Sequence, residues 1–287
     1  MLYRLGGTLF IPATHKNLIS VANAEKYLGL KSIVIDTEDS ISKDNFVDAL
    51  KSIKNFLKSF KKSKVLVFLR PRDTKTLKEF LNYKNINKID GFVLPKFSLT
   101  NADNYFDILK NSPLSIMPSI EGDELFDLNK LIKLKEKLLP YKSKIVLIRF
   151  GLEDMLKQLK MRRGCDESIF DFSVTSVVLG NFIAIFKSAG FEISGGVYPC
   201  FKDLKGFEKD VLRDLKEGLF SKTIIHPNQI DIINKLYKVT QEEYDESLEI
   251  YNSKVAIVSK NNKMLEINTM YPHAKFMLQR AKIYGIK

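Results

Sequence analysis

At 287 residues, 45% apolar and with only two cysteines, the chain has the make-up of an ordinary globular protein, which excludes disordered and fibrous classes and points to one large α/β domain plus a tail. No apolar run approaches the roughly 18–20 residues of a membrane span, and MLYRLGGTLFIPATH lacks the long apolar stretch and cleavage site of a secretory signal. The expectation is a cytoplasmic protein with no membrane partner. Its net charge of +12 attracts any anion, yet the lysines of LKSIKNFLKSFKKSK (50–64) fall on the polar side of an amphipathic helix. They read as a solvated face, not as a nucleic-acid stripe. Cys165 and Cys200 have neither metal-ligand nor CxxC spacing, so they read as incidental thiols with no disulfide and no zinc site.

Short apolar runs alternate with helix-like segments along the whole chain. In order, the predicted strands are TLFIP (8–12), SIVID (32–36), VLVFLR (65–70), GFVLP (91–95), LSIMPSIE (114–121), KIVLIRF (144–150), FEISGGVY (191–198) and KTIIHP (222–227). Between them NLISVANAEKYLG, DNFVDALKSIKNFLKSF, TKTLKEFLNYK, NADNYFDILKN, DELFDLNKLIKLKEKL, FDFSVTSVVLGNFIAIFKSAG and LKGFEKDVLRDLKEGL carry apolar positions at helical spacing. Eight strands alternating with helices predict an α/β fold of the (β/α)8 TIM-barrel type with extra C-terminal helices, since an open doubly wound sheet usually has fewer strands. Residues 228–239 and 241–259 read as helical, and 273–284 as a final helix. The expected partition is a barrel over 1–239 and a helical extension over 240–287 that packs on the barrel or on a neighbouring subunit.

A barrel places its chemistry at the C-terminal ends of its strands, and those ends hold a distinct polar set: Asp36, Glu38, Asp39, Arg70, Arg72, Lys96, Glu121, Asp154 and His226. Charged groups at a barrel mouth keep water, whereas in the packed interior each costs several kcal/mol unless paired. Glu121 and Asp154, from adjacent strands, suit a Mg2+ ion, which takes one or two carboxylates and keeps open positions for water and substrate. An Asp after a strand is also a common helix N-cap. Arg70 can hold a carboxylate or a developing enolate oxygen, or pair with the three acids of DTED, and the two roles are compatible. Lys96 and Lys222 raise an alternative, a Schiff-base aldolase. His226 suits an acid/base or anion contact, or a satisfied turn residue. A non-catalytic basic binding protein is the third reading, opposed by the acids gathered at the mouth.

LFIPA, DTEDS, FLRPR, GFVLPK, PSIEG, FGLEDM and KTIIHPNQI, in that order, resemble the citrate lyase β-subunit-like branch of the HpcH/HpaI aldolase superfamily over nearly the whole chain. RFGLEDMLKQLKMRRG, KSAGFEISGGVYPCF and the tail MLEINTMYPHAKFMLQRA look more specifically like C–C bond lyases predicted beside ATP-grasp and phosphoribosyltransferase-like proteins in tellurite-resistance-type gene clusters. The resemblance implies a TIM barrel, a homo-oligomer (trimer or hexamer), Mg2+, and cleavage or formation of a C–C bond next to a carboxylate or thioester. It implies Glu121 and Asp154 as metal ligands and Arg70 as the contact to the substrate carbonyl or enolate. Asp36, Glu38 and Asp39 match the family's DxEDS acids.

The chain departs from coenzyme-A-using members, which usually carry Arg-Ser before an LFVPG strand, by having Gly7-Thr8 and Ala13. That argues against a coenzyme A thioester. Arg72, Arg149, Arg162 and Arg163 would suit a small anionic substrate with several carboxylates or a phosphate, although Arg162 and Arg163 read equally well as surface residues. Arg72, Lys96, Arg149 and His226 are the candidate substrate contacts. The combined expectation is a Mg2+-dependent carbon–carbon lyase acting on a carboxylate, oxo-acid or phosphorylated substrate.

Overall fold

The apolar runs, bounded by turn residues and helices, become parallel strands in the computed structural model, which describes residues 1–260 and 262–287. They are β1 (Gly7–Pro12), β2 (Ser32–Asp36), β3 (Leu66–Arg70), β4 (Gly91–Leu94), β5 (Ser115–Ile120), β6 (Arg149–Phe150) and β7 (Lys222–Ile224), in the order β6-β5-β4-β3-β2-β1-β7. The expected strand at 191–198 is a less regular stave joining the two ends of that order. Ile193 bridges to Ile148 and Gly195 to Lys222, with Ser194 N–H donating to the Ile148 carbonyl at 3.0 Å and Gly195 N–H to the Ser221 carbonyl at 2.7 Å. The glycine is required by close approach: a Cβ on Gly195 would lie 2.0 Å from Asp214 Oδ2.

Helices α1 (Leu18–Ala22), α2 (Phe46–Ser59), α3 (Thr74–Leu81), α4 (Ala102–Leu109), α5 (Leu128–Leu138), α6 (Leu152–Gln158), α7 (Ser173–Ser188) and α8 (Leu204–Lys216) alternate with the strands. In α2 the apolar side is buried through Ala49, Ile53, Phe56 and Leu57, while Lys51, Lys54 and Lys58 are exposed, as the amphipathic pattern predicts. Aspartates cap α3, α5 and α8: Asp73, Asp127 and Asp203 each accept a first-turn backbone N–H. The first helix is shorter than its sequence pattern, ending at Ala22 because Ala24 turns into the left-handed region at φ +63°.

Side chains alternate across a strand, so one set per strand faces the barrel interior. Val34, Phe68, Val93, Met117 and Leu147 form that set at the lower level and close it as a buried apolar plug with Leu5 and Leu66. Two residues further along the same strands come Asp36, Arg70, Ser119 and Arg149, one layer nearer the C-terminal ends. Register completes the arrangement, setting Asp36 opposite Arg70 and Ser119 opposite Arg149. The polar site therefore rests directly on the apolar core.

The thiol expectation is corrected. Cys165 and Cys200 form a disulfide with Cα atoms 5.5 Å apart, tying the segment after α6 to the one before α8. Their separation of 35 residues carries no local signal; the fold brings them together.

The chain divides into Met1–Ile230 and Asp231–Lys287, where the sequence expectation set the boundary after 239. The second unit begins within α9 (Ile230–Leu236) and contains α10 (Gln241–Asn252), an antiparallel hairpin of β8 (Ile257–Lys260) and β9 (Lys263–Glu266), and α11 (Ile267–Tyr284). The expected helix over 241–259 thus stops at Asn252, and the final helix starts before Pro272 instead of after it. Arg280 is buried and donates to the carbonyls of Leu236, Tyr237 and Lys238 at 3.2, 2.7 and 3.1 Å, satisfying the end of α9. Among the described residues no helix is long and apolar enough to cross a membrane.

Candidate active site at the barrel mouth

A cavity of roughly 370 Å³ opens at the C-terminal ends of the strands. Its walls present five carboxylates, Asp36, Asp39, Glu121, Glu153 and Asp154, against two guanidiniums, Arg70 and Arg149. Asp36 and Glu121 are buried, Asp154 is half-buried and Asp39 and Glu153 are exposed, so carboxylates outnumber guanidiniums at the mouth, which favours a cation.

The acids that follow β2 are organised around Arg70. Its Nε and Nη2 donate to the two oxygens of Asp36 at 2.6 and 2.7 Å, and Nη1 lies 3.0 Å from Glu38 Oε2 and 3.1 Å from Asp39 Oδ2. The first pair is a direct product of register, the second of the chain turning back over the strand end. Asp36 also accepts the backbone N–H groups of Glu38 and Ser40 at 2.9 and 3.0 Å, so both its oxygens are saturated. Burial alone would raise the Asp36 pKa, but the Arg70 bonds and charge hold it below the ordinary value. Burial likewise works against the Arg70 cation, and Asp36, Glu38 and Asp39 together keep it more firmly protonated than a free arginine. Asp36 therefore fixes Arg70, and three of the five guanidinium N–H groups are donated to carboxylates, two to Asp36 and one to Asp39.

Glu38 is buried, and burial followed by its hydrogen bond to Asp39 pushes its pKa up to about 7, against the pull of Arg70 and Lys96. Lys96 follows β4 with its backbone in the left-handed region at φ +46°, costly for a residue with a Cβ. The Asn101 side chain secures that turn, donating to the Lys96 carbonyl at 2.8 Å. The strained turn aims the ammonium at the acids: it bonds Glu38 and lies 3.5 Å from Asp39 and 3.6 Å from Glu121.

Glu121 leaves β5 buried, and its Oε2 accepts no hydrogen bond. Burial raises its pKa, Ser119 and Lys96 pull it down, and Asp154 pushes it up again. Asp154 stands third in α6, whose N-cap is Gly151, so it is not the capping residue. Gly151 exists for packing: a Cβ there would lie 2.2 Å from Glu121 Cγ. Gln158, one helical turn after Asp154, donates its side-chain amide to the carbonyls of Glu121 and Asp154 at 2.7 and 3.2 Å and so locks both backbones together. No three metal-ligating side chains converge as a complete cage among the described residues. Two carboxylates on one cavity, one with an unbonded buried oxygen, fit Mg2+, whose remaining positions go to water and substrate.

Arg149 is buried and reaches the cavity floor, where Nη1 donates to Thr223 Oγ1 at 3.0 Å. The Phe10 ring adjoins both cations, 5.4 Å from the Arg70 guanidinium and 5.0 Å from that of Arg149.

Five other candidates lie elsewhere. Arg72 donates to the Ile41 carbonyl at 2.6 Å and stacks on Phe46, anchoring the segment after the DTED acids. His226 accepts Asn228 N–H through Nδ1 at 3.3 Å and stacks on Phe201, the satisfied turn residue of the two readings. Arg162 is exposed, whereas Arg163 is buried against Asp210 at 3.0 Å, which corrects its surface reading. Lys222 starts β7 opposite Gly7, the first residue of β1, and is buried in ion pairs with Asp210 and Asp214 of α8. Lys222 therefore does not reach the mouth. For both Lys222 and Lys96, burial favours the neutral amine but the neighbouring acids prevail and hold the cation, the opposite of what a Schiff-base nucleophile needs. Gln158, Asn101, Phe10 and Thr223 were absent from the sequence reading. Gln158 had a usable signal in its i+4 spacing from Asp154.

The family model described as C–C bond lyase of the TIM-barrel fold matches residues 1–286. Among curated proteins, the citrate lyase β subunit of Escherichia coli K12 is 26% identical over 152 residues, 50% of this chain and 48% of that protein. A (3S)-malyl-CoA thioesterase of Cereibacter sphaeroides is 23% identical over 251 residues, 86% of this chain and 81% of that protein. The matched part spans about half the length of the citrate lyase relative. Of solved structures, CitE from Mycobacterium tuberculosis in complex with magnesium, acetoacetate and coenzyme A aligns with a TM-score of 0.72 at 18% identity, covering 98% of this chain and 100% of that one. A citrate lyase from Burkholderia xenovorans gives 0.75 at 16% identity, covering 99% and 93%. At such identities these likenesses speak to the fold alone. Because the family match runs through nearly the whole chain, and the strands are wound as that family's barrel, the protein belongs to the C–C bond lyases of the TIM-barrel fold.

Proposed function

We propose that this enzyme is a Mg2+-dependent carbon–carbon lyase that acts on a small oxo-acid or carboxylate through an enolate. The observation that carries the reading is Glu121 and Asp154 facing one negatively charged cavity with Arg70 in its wall. Relatives by fold from Mycobacterium tuberculosis were solved in complex with magnesium and pyruvate or acetoacetate, which supports the same ligand class here.

Glu121 and Asp154 would hold the metal, which supplies Lewis-acid polarisation of substrate oxygens when bound. Arg70, clamped by Asp36 and exposed to the cavity, places its guanidinium where negative charge grows on the substrate oxygen. Its orientation is set before substrate arrives, so little reorganisation is needed as the C–C bond breaks. Glu38 and Asp39 hold Nη1 from the other side, and Lys96 balances the charge of Glu38, Asp39 and Glu121. Phe10, Val93, Phe150 and Leu152 give the cavity apolar walls that limit water around the reacting carbons.

Where the oxo-acid is the fragment that leaves as the enolate, the lyase also exchanges that acid's α-protons with solvent. Pyruvate in D2O should lose its methyl proton signal by NMR in the presence of enzyme and Mg2+, and EDTA should stop the exchange. EDTA-insensitive exchange, with a borohydride-trapped adduct on Lys96, would replace the metal route with a lysine one.

A further inference from the structure

We propose that the substrate is a dicarboxylate whose second carboxylate binds Arg149 at the cavity floor, so that Arg149 selects oxo-diacids over oxo-monoacids. This rests on the reading above that the oxo-acid end lies at Glu121 and Asp154.

Arg149 is the least compensated cation of the site. It is 3% exposed, and its Nε and Nη2 are buried without a hydrogen-bond partner. Its described side-chain hydrogen bond goes to the neutral hydroxyl of Thr223. Burial, then the like charge of Arg70, pushes its pKa down to about 9, and no acid offsets them. Arg70, by contrast, is already met by three carboxylates. A buried charge without a counterion costs several kcal/mol, and a ligand that brings the counterion recovers that cost on binding.

The free edge has the right shape. Nε–H and Nη2–H project side by side from one edge of a guanidinium, the pair of parallel donors that a carboxylate accepts in a two-bond fork. The layering also fits: Arg149 pairs with Ser119, two residues before Glu121, so its backbone stands one inward-facing layer nearer the apolar core than Glu121, level with Arg70. Phe10, Val93 and Phe150 line the way and suit the methylene carbons between the two charged ends.

The test is calorimetric titration with Mg2+ present, comparing 2-oxobutyrate with the oxo-diacids oxaloacetate and 2-oxoglutarate. The parent should bind at least one oxo-diacid about tenfold or more tighter than 2-oxobutyrate, a difference of roughly 1.4 kcal/mol. In Arg149→Met, which fills similar volume without a charge, the preference for the oxo-diacid should vanish. Equal binding of diacid and monoacid by the parent overturns the proposal without any variant, and so does a preference that survives Arg149→Met. Tighter binding of phosphonopyruvate than of either diacid would overturn the assignment of the floor to a carboxylate. Failure of 2-oxobutyrate itself to bind in a Mg2+-dependent way would instead overturn the functional reading on which this rests.

Discussion

Arg70→Lys is expected to slow the Mg2+-dependent exchange of pyruvate protons by about 10²-fold or more, ~2.7 kcal/mol of transition-state stabilisation. The substitution keeps a positive charge and removes only the planar fork. Arg70 uses that fork on both sides, with Nε and Nη2 on Asp36 at 2.6 and 2.7 Å and Nη1 facing Glu38 and Asp39 at 3.0 and 3.1 Å. A lysine ammonium is a mobile point charge that cannot be held by three acids in one orientation. If Arg70 acts on charge that develops during reaction, the loss should fall on the rate constant and leave the KM for pyruvate nearly unchanged. An unchanged rate would remove Arg70 from the chemistry and leave it a structural ion pair.

Asp36→Ala should cost about 3–5 kcal/mol of stability at pH 7, measured by urea unfolding, because it strips a buried arginine of its bidentate partner. Loss of the accepted N–H bonds from Glu38 and Ser40 adds to the same effect. The pH dependence has a definite sign. The folded-state pKa of Asp36 lies below the ordinary 3.8, so its contribution is fully present above 3.8 and is lost as pH falls through the folded value. The stability gap between the parent and Asp36→Asn should therefore be constant from pH 5 to 7 and shrink in strong acid. A gap that widened in acid would contradict the assignment of Asp36 as an ionised partner.

The strands and the site acids were legible in the sequence for one reason. A strand buried on both faces must be almost wholly apolar, so the point where SIVID runs into DTED, or SIMPSI into EG, marks the level at which the barrel meets water. Arg149 was visible for the same reason, at the end of KIVLIRF. What the sequence left hidden depends on packing in three dimensions. The Cys165–Cys200 bond joins segments that only the fold makes neighbours. Arg72 and His226 occupy strand-end positions, yet their side chains are consumed by nearby carbonyl and backbone N–H groups, a choice that periodicity cannot express. Lys222 opens the predicted strand KTIIHP, and its pairing with Gly7 at the start of β1 keeps it at the end away from the mouth.

The central claim is that Glu121 and Asp154 share one divalent cation beside Arg70. The most direct measurement is a crystal structure of the protein grown with Mn2+, read by anomalous scattering. The prediction is a single strong peak in the mouth cavity, about 2.0–2.2 Å from carboxylate oxygens of both residues as for a hard octahedral ion, and absent from Glu121→Gln crystals. A peak bonded elsewhere, or these two carboxyl groups ordered and turned away from any common ion, would contradict the account.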